Sequence, residues 1–214
     1  MLIGDICGKG IEAAALTGLV RHTVRTASRL GAEPSAVLRA VHVAMTEHRP
    51  PTFCTVCFLT YRPDHSGRAG GEIVVSLGGH PQPLLVRSND VAPIGRFGTV
   101  LGMIEPSLHE VRTRVEPGDT LVLFTDGLTD APGDQAVPLH ELEELLRRST
   151  ASSVEALADD IRMLKRSRRP SGSADDTAVV VIRFDTTRDD PAAVPRGERS
   201  QLARVPPVAH LQPT

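Results

Sequence analysis

Between Gly10 and Gly31, Leu16, Leu19, Val20, Thr23, Val24, Ala27 and Leu30 recur at three- and four-residue spacing. That period lines one face of a long helix, which Gly31 ends. A second helix is expected with Ser35 as its cap after Pro34, an apolar stripe of Val37, Leu38, Val41, Ala44 and Met45, and a stop at Pro50-Pro51. The pattern then changes. Phe53 to Tyr61, Glu72 to Leu77, Pro83 to Val86, Leu108 to Val115 and Thr120 to Thr125 are strand-length, apolar or alternating, and separated by glycine- and proline-bearing turns. Helical spacing returns over Leu139 to Arg147 and Val154 to Lys165, the latter opened by Ser152 and Glu155 at capping-box spacing. Thr177 to Phe184 is a continuous apolar run, expected as a strand buried on both faces. Met1 to Asp5 reads as the end of a strand. Helices paired around a block of strands predict an α+β sandwich, because a doubly wound sheet would alternate strand with helix.

Composition narrows the setting. The 214 residues suffice for one domain, read as 1–185, and the stretch 186–214 is expected to be a disordered tail. That tail carries prolines and arginines without apolar periodicity, so nothing offsets its ordering entropy. A formal net charge of -2 and a pI near 6.4 give no general attraction to nucleic acid or anionic membrane. No apolar stretch is long enough to span a bilayer, and the first residues lack a signal-peptide pattern. Three cysteines, an odd number with no signal segment, argue against a secreted disulfide scaffold and for a reducing cytoplasm.

The candidate chemistry lies in three aspartates at predicted strand ends. Asp5 follows Leu2-Ile3-Gly4, Asp126 follows Leu121 to Thr125, and Asp175 precedes the Thr177 to Phe184 run. Gly8 and Gly127 follow two of them closely and allow tight turns or close backbone approach. Any one Asp-Gly pair is an ordinary turn. Jointly, carboxylates without sulfur or imidazole partners favour hard divalent ions such as magnesium or manganese over zinc. Such ions polarise a phosphoryl oxygen and activate water, which suits phosphoester hydrolysis without a protein nucleophile.

Four motifs carry a family resemblance. Gly4-Asp5-Ile6-Cys7-Gly8-Lys9-Gly10 leading into Ala13 to Leu16, Gly78-Gly79-His80-Pro81-Gln82-Pro83-Leu84-Leu85, Pro117 to Asp130 and Asp175-Asp176-Thr177-Ala178-Val179 resemble the SpoIIE-type members of the metal-dependent (PPM, type 2C-like) protein phosphatases. The resemblance implies a four-layer α-β-β-α sandwich of two antiparallel sheets with two manganese or magnesium ions between them. It implies that Asp5 bridges the ions, with the Ile6 carbonyl, Asp126 and Asp175 as further ligands and Asp176 in support. Lys9 stands where many members carry histidine, and is expected either to attract phosphate or to be a solvated loop lysine. The family's upstream strand, with its own metal-binding aspartate, has no counterpart here. The first strands are therefore expected to be missing, with the true start upstream of Met1; the competing reading is an impaired pseudophosphatase acting as a binding module. The implied substrate is a phosphoprotein resembling an anti-anti-sigma factor, and control is expected through the helices at 10–31 and 35–48, compatible with a homodimer. A small-molecule phosphohydrolase would instead need a closed pocket.

Other signals are weighed down by their setting. Gly8-Lys9-Gly10 lacks the spacing and the Ser/Thr of a P-loop. Cys54 and Cys57 lie in a predicted strand, where residues three apart face opposite sides, so neither zinc nor redox work is expected. His80 reads as a structural turn residue, and His22, His42 and His48 as ordinary helix-face histidines. The run Lys165 to Arg169 suits a helix C-terminus.

Overall fold

Alternation within the strands decides which layer each side chain enters. The computed structural model describes residues 1–47, 52–64, 70–130, 136–168 and 177–185. Strand β1 (Leu2–Ile6) leads to helices α1 (Ile11–Arg29) and α2 (Pro34–Thr46), then to β2 (Cys54–Pro63) and β3 (Gly71–Gly78). There follow β4 (Leu84–Arg87), β5 (Asp90–Pro93), β6 (Val111–Val115), β7 (Thr120–Phe124), a 3₁₀ turn (Asp126–Leu128), α3 (Leu139–Arg148), α4 (Val154–Arg168) and β8 (Val179–Arg183). The first sheet has the order β1-β2-β3-β6 and the second β5-β4-β7-β8, with every pairing antiparallel.

Three apolar layers hold four structural layers together. Leu16, Val20 and Val24 of α1 and Val37, Leu38, Val41 and Met45 of α2 pack on Cys54, Val56 and Phe58 of β2. Residues of opposite parity, including Ile3, Cys57, Leu59, Leu121 and Leu123, fill the space between the sheets. Val122 and Phe124 turn the other way, onto Leu142, Leu146, Leu157 and Ile161 of α3 and α4. The chain is thus the expected α-β-β-α sandwich. Cys54 and Cys57 are free, buried and in different layers, as the pleat requires.

Several local expectations are corrected. Glu33, not Ser35, is the N-cap of α2; Ser35 lies inside the first turn and donates its hydroxyl to Glu110 Oε1 at 2.6 Å. The capping hydroxyl of α4 is that of Ser153, which accepts from Ala156 N at 3.2 Å, because the helix begins at Val154, one residue beyond it. Strand β8 does have apolar layers on both sides, but it is an edge strand and remains half-buried along its length. The β4–β5 hairpin adds a strand that the sequence reading omitted, turning at Ser88 with φ 53°. The expected tail at 186–214, together with His48, Asp175 and Asp176, lies outside the described residues.

Candidate active site

Asp5 and Thr55 are direct cross-strand partners on β1 and β2. Two residues along the same parity, Ile3 and Cys57 are in the inter-sheet core, so Asp5 and Thr55 belong to the end of that layer. Asp5 is exposed there and Thr55 half-buried. Gly4 has no room for a side chain, since a Cβ would meet the Thr55 carbonyl oxygen at 2.4 Å. Ile6 closes β1, and Cys7 N donates to the Phe53 carbonyl, so the loop leaves the sheet immediately after the carboxylate.

From the second sheet, β7 ends at Phe124 and the chain turns through Asp126–Leu128. Thr125 is locked to the start of the last strand: its N–H donates to the Ala178 carbonyl and its Oγ1 accepts from Ala178 N, each at 3.0 Å. Lys165, from the last turn of α4, donates to the Gly127 carbonyl at 2.9 Å. Asp126 therefore sits on a turn held from two sides. Among the described residues, neither its carboxylate nor that of Asp5 makes a hydrogen bond or ion pair.

His80 connects the two. It follows β3, where Gly79 bridges to Val56, the neighbour of Thr55. The ring is buried, at 1% exposure, and Nδ1 lies 3.0 Å from the Pro81 carbonyl. Burial pushes its pKa below the ordinary value, against the opposing influence of the Pro81 hydrogen bond and of the Asp126 and Asp5 charges. The charges of Asp5, from the first sheet, and of Asp126, from the second, thus both bear on this one ring. The sequence reading took His80 for a turn residue. The structure instead has Gly79 in a bridge to Val56 and His80 buried in the irregular segment that follows, and no local sequence signal foretells that burial.

A cavity of about 460 Å³ runs beside β1 to the first turns of α1, lined among others by Asp5, Gly8, Lys9, Arg21 and Thr55. Lys9 is exposed and shares this cavity with Asp5. No third His, Cys, Asp or Glu completes a metal-sized group among the described residues. The two free carboxylates nevertheless suit an oxygen-preferring divalent ion, and two buried polar atoms, Thr55 Oγ1 on the residue paired with Asp5 and His80 Nε2, have no hydrogen-bond partner among the described residues. The donor chemistry fits magnesium or manganese.

Comparison with known proteins identifies the family. The profile of the stage II sporulation protein E (SpoIIE) family matches residues 1–185. The chain is 23% identical over 186 residues to phosphoserine phosphatase RsbU of Bacillus subtilis (strain 168), covering 85% of this chain and 54% of that protein. It thus spans about half the length of this curated relative. Among solved structures, the RsbU and RsbW domains of Rv1364c from Mycobacterium tuberculosis superpose with TM-score 0.67 at 26% identity, covering 87% of this chain and 53% of that one. The SiaA-PP2C domain of Pseudomonas aeruginosa gives TM-score 0.69 at 20% identity, covering 86% of this chain and 75% of that one. The PP2C phosphatase domain of Bacillus subtilis SpoIIE, with a fragment of its regulatory domain, gives 0.70 at 16%, covering 87% and 54%. The family match over most of the chain, on a sandwich of two antiparallel sheets between helix layers, makes this protein a member of the SpoIIE family with the fold of PP2C-type phosphatase domains.

Proposed function

We propose that this domain, residues 1–185, hydrolyses phosphoserine or phosphothreonine on a protein with the help of two divalent ions, manganese or magnesium. The observation that carries the reading is that Asp5 and Asp126, delivered by different sheets, both bear on the buried His80 ring while their carboxylates stay unpaired among the described residues. Asp5, the Ile6 carbonyl, Asp126 and Asp175 are the proposed ligands; Asp175 lies three residues before Ala178, which pairs with Thr125 beside Asp126. When bound, such ions lower the pKa of water and polarise the phosphoryl group. The protein's own part is to hold the carboxylates on rigid strand ends and to offer Lys9 and Arg21 to the phosphate across the cavity.

The openness of the cavity beside Asp5 supports a protein as the substrate class. Gly8, Lys9, Gly10 and Arg21 are all exposed, so the cavity faces solvent and does not enclose a compact metabolite. A phosphorylated residue presented on a protein surface fits such an approach. The name of RsbU as a phosphoserine phosphatase, and the joining of RsbU and RsbW domains in one mycobacterial protein, support an anti-anti-sigma-factor-like substrate in a partner-switching pathway. Helices α1 and α2 are the proposed regulatory elements, with a homodimer as the regulatory form. Three free thiols suit a reducing cytoplasm, and no helix among the described residues is long and apolar enough to cross a membrane.

The test is hydrolysis of p-nitrophenyl phosphate with and without manganese, beside an Asp126→Asn control. Manganese-dependent turnover that the variant lacks is the expected result. A folded chain with no turnover under any metal condition would favour a binding module and overturn the enzymatic reading.

A further inference from the structure

The buried imidazole of His80 holds a hydrogen-bonding capacity that the protein leaves unused. A carbonyl oxygen can only accept, so the 3.0 Å contact with Pro81 makes Nδ1 the donor. In a neutral ring Nε2 then carries a lone pair. Nε2 is nevertheless buried without a partner among the described residues. Buried polar atoms are nearly always hydrogen-bonded, so the retention of this one points to a ligand. Thr55 Oγ1, on the residue paired with Asp5, is a second orphan at the same end of the layer. Packing alone would be served equally well by an apolar side chain at either position.

The identity of the missing partner follows from what Nε2 can bind. Phosphate oxygens and carboxylates are acceptors and cannot satisfy a lone pair. A hard divalent ion prefers oxygen ligands to this nitrogen. Water can donate, and water bound to a cation donates more strongly because its hydrogens are polarised. We propose that His80 is a positioning residue whose Nε2 accepts a hydrogen bond from a water in the hydration shell of a divalent cation held at Asp5 and Asp126. This rests on the divalent-ion reading of the site and adds to it an outer contact from the segment after β3, where the chain crosses between sheets. The contact would fix the cation's water relative to the carboxylates.

Two substitutions separate the ring's nitrogens. His80→Asn keeps a donor near the Nδ1 position and removes the Nε2 lone pair, whereas His80→Gln places an amide oxygen near Nε2. Manganese affinity, read from the electron paramagnetic resonance of free ion, is measured for the unaltered chain, both His80 variants and Asp126→Asn, each beside its melting temperature. His80→Asn is expected to weaken binding about tenfold, the lower end of what loss of an outer-shell partner costs, at an unchanged melting temperature. His80→Gln is expected to restore most of that loss. Ring 15N signals should show the Nδ1–H tautomer, with Nε2 shifting when magnesium is added. Binding by His80→Asn equal to the unaltered chain overturns the proposal, as does a loss that only parallels a fall in melting temperature, or an Nε2–H tautomer. If the unaltered chain takes up no manganese, or Asp126→Asn binds equally well, the divalent-ion reading itself fails and this proposal with it.

Discussion

Strand β7 carries a carboxylate just outside each end, and the two are treated in opposite ways. Asp119, before the strand, is buried at 3% exposure and fully engaged: Arg87 donates to it through Nε and Nη2, at 2.7 Å for the latter, and Glu116 N donates at 2.8 Å. Asp126, after the strand, is half-buried, and its carboxylate has no partner among the described residues. One strand thus separates an acid that closes a turn from an acid left open to a ligand. A buried charge is retained for structure when its hydrogen bonds are complete, and a free one at a strand end points to chemistry.

The sharpest way to break this comparison is to remove each charge in turn. Asp126→Asn is expected to lower manganese-dependent kcat/KM on the order of 10³-fold, since metal ions supply several kcal/mol of transition-state stabilisation. Its urea midpoint should stay within about 0.5 kcal/mol of the parent, as no contact is lost. Asp119→Ala should do the reverse, costing about 2–3 kcal/mol in urea unfolding, because its charged hydrogen bonds and the Glu116 N–H lose their acceptor. Arg87 is half exposed, which holds the figure below that of a fully buried pair.

How far this was legible in the sequence depends on the range of the interactions. Asp5 and Asp126 could be placed at strand ends because the apolar runs before them announce the strands, and the alternation at Cys54 and Cys57 fixed their separation into two layers. The free state of Asp126 against the clamped state of Asp119 could not be read, because Arg87 lies 32 residues from Asp119. The burial of His80 was hidden too, because its Gly-Gly-His-Pro setting is sound turn chemistry and carries no burial signal. Errors at helix starts were smaller. Serines at 152 and 153 are chemically equivalent as caps, so only the backbone chooses between them. The strand Asp90–Pro93 escaped notice because four residues ending in proline read as loop, yet it is an edge strand, where proline is tolerated.

Smaller effects sharpen the same contrast. Lys165→Met removes the hydrogen bond to the Gly127 carbonyl, and is expected to cost about 1 kcal/mol in thermal unfolding while loosening manganese binding a few-fold. A loss of stability without any change in binding would show that α4 does not position the Asp126 turn. The thiols provide a pH test of the layers. Burial raises the pKa of Cys54 and of Cys57 from 9.0 to about 12, so the folded state disfavours both thiolates. Stability from these thiols is complete below about pH 9, where the unfolded chain is also protonated, and is lost as pH rises from there towards 12. At pH 8, iodoacetamide should therefore modify exposed Cys7 in the folded protein and reach the other two only after denaturation. Mass spectrometry of the alkylated peptides checks this.

The most direct measurement is anomalous diffraction from crystals soaked in manganese. The account expects a peak within coordination distance of both Asp5 and Asp126 carboxylate oxygens, at the end of the layer between the sheets. A peak that touches only one of them, or none at saturating manganese in a crystal where this end is open to solvent, would contradict it.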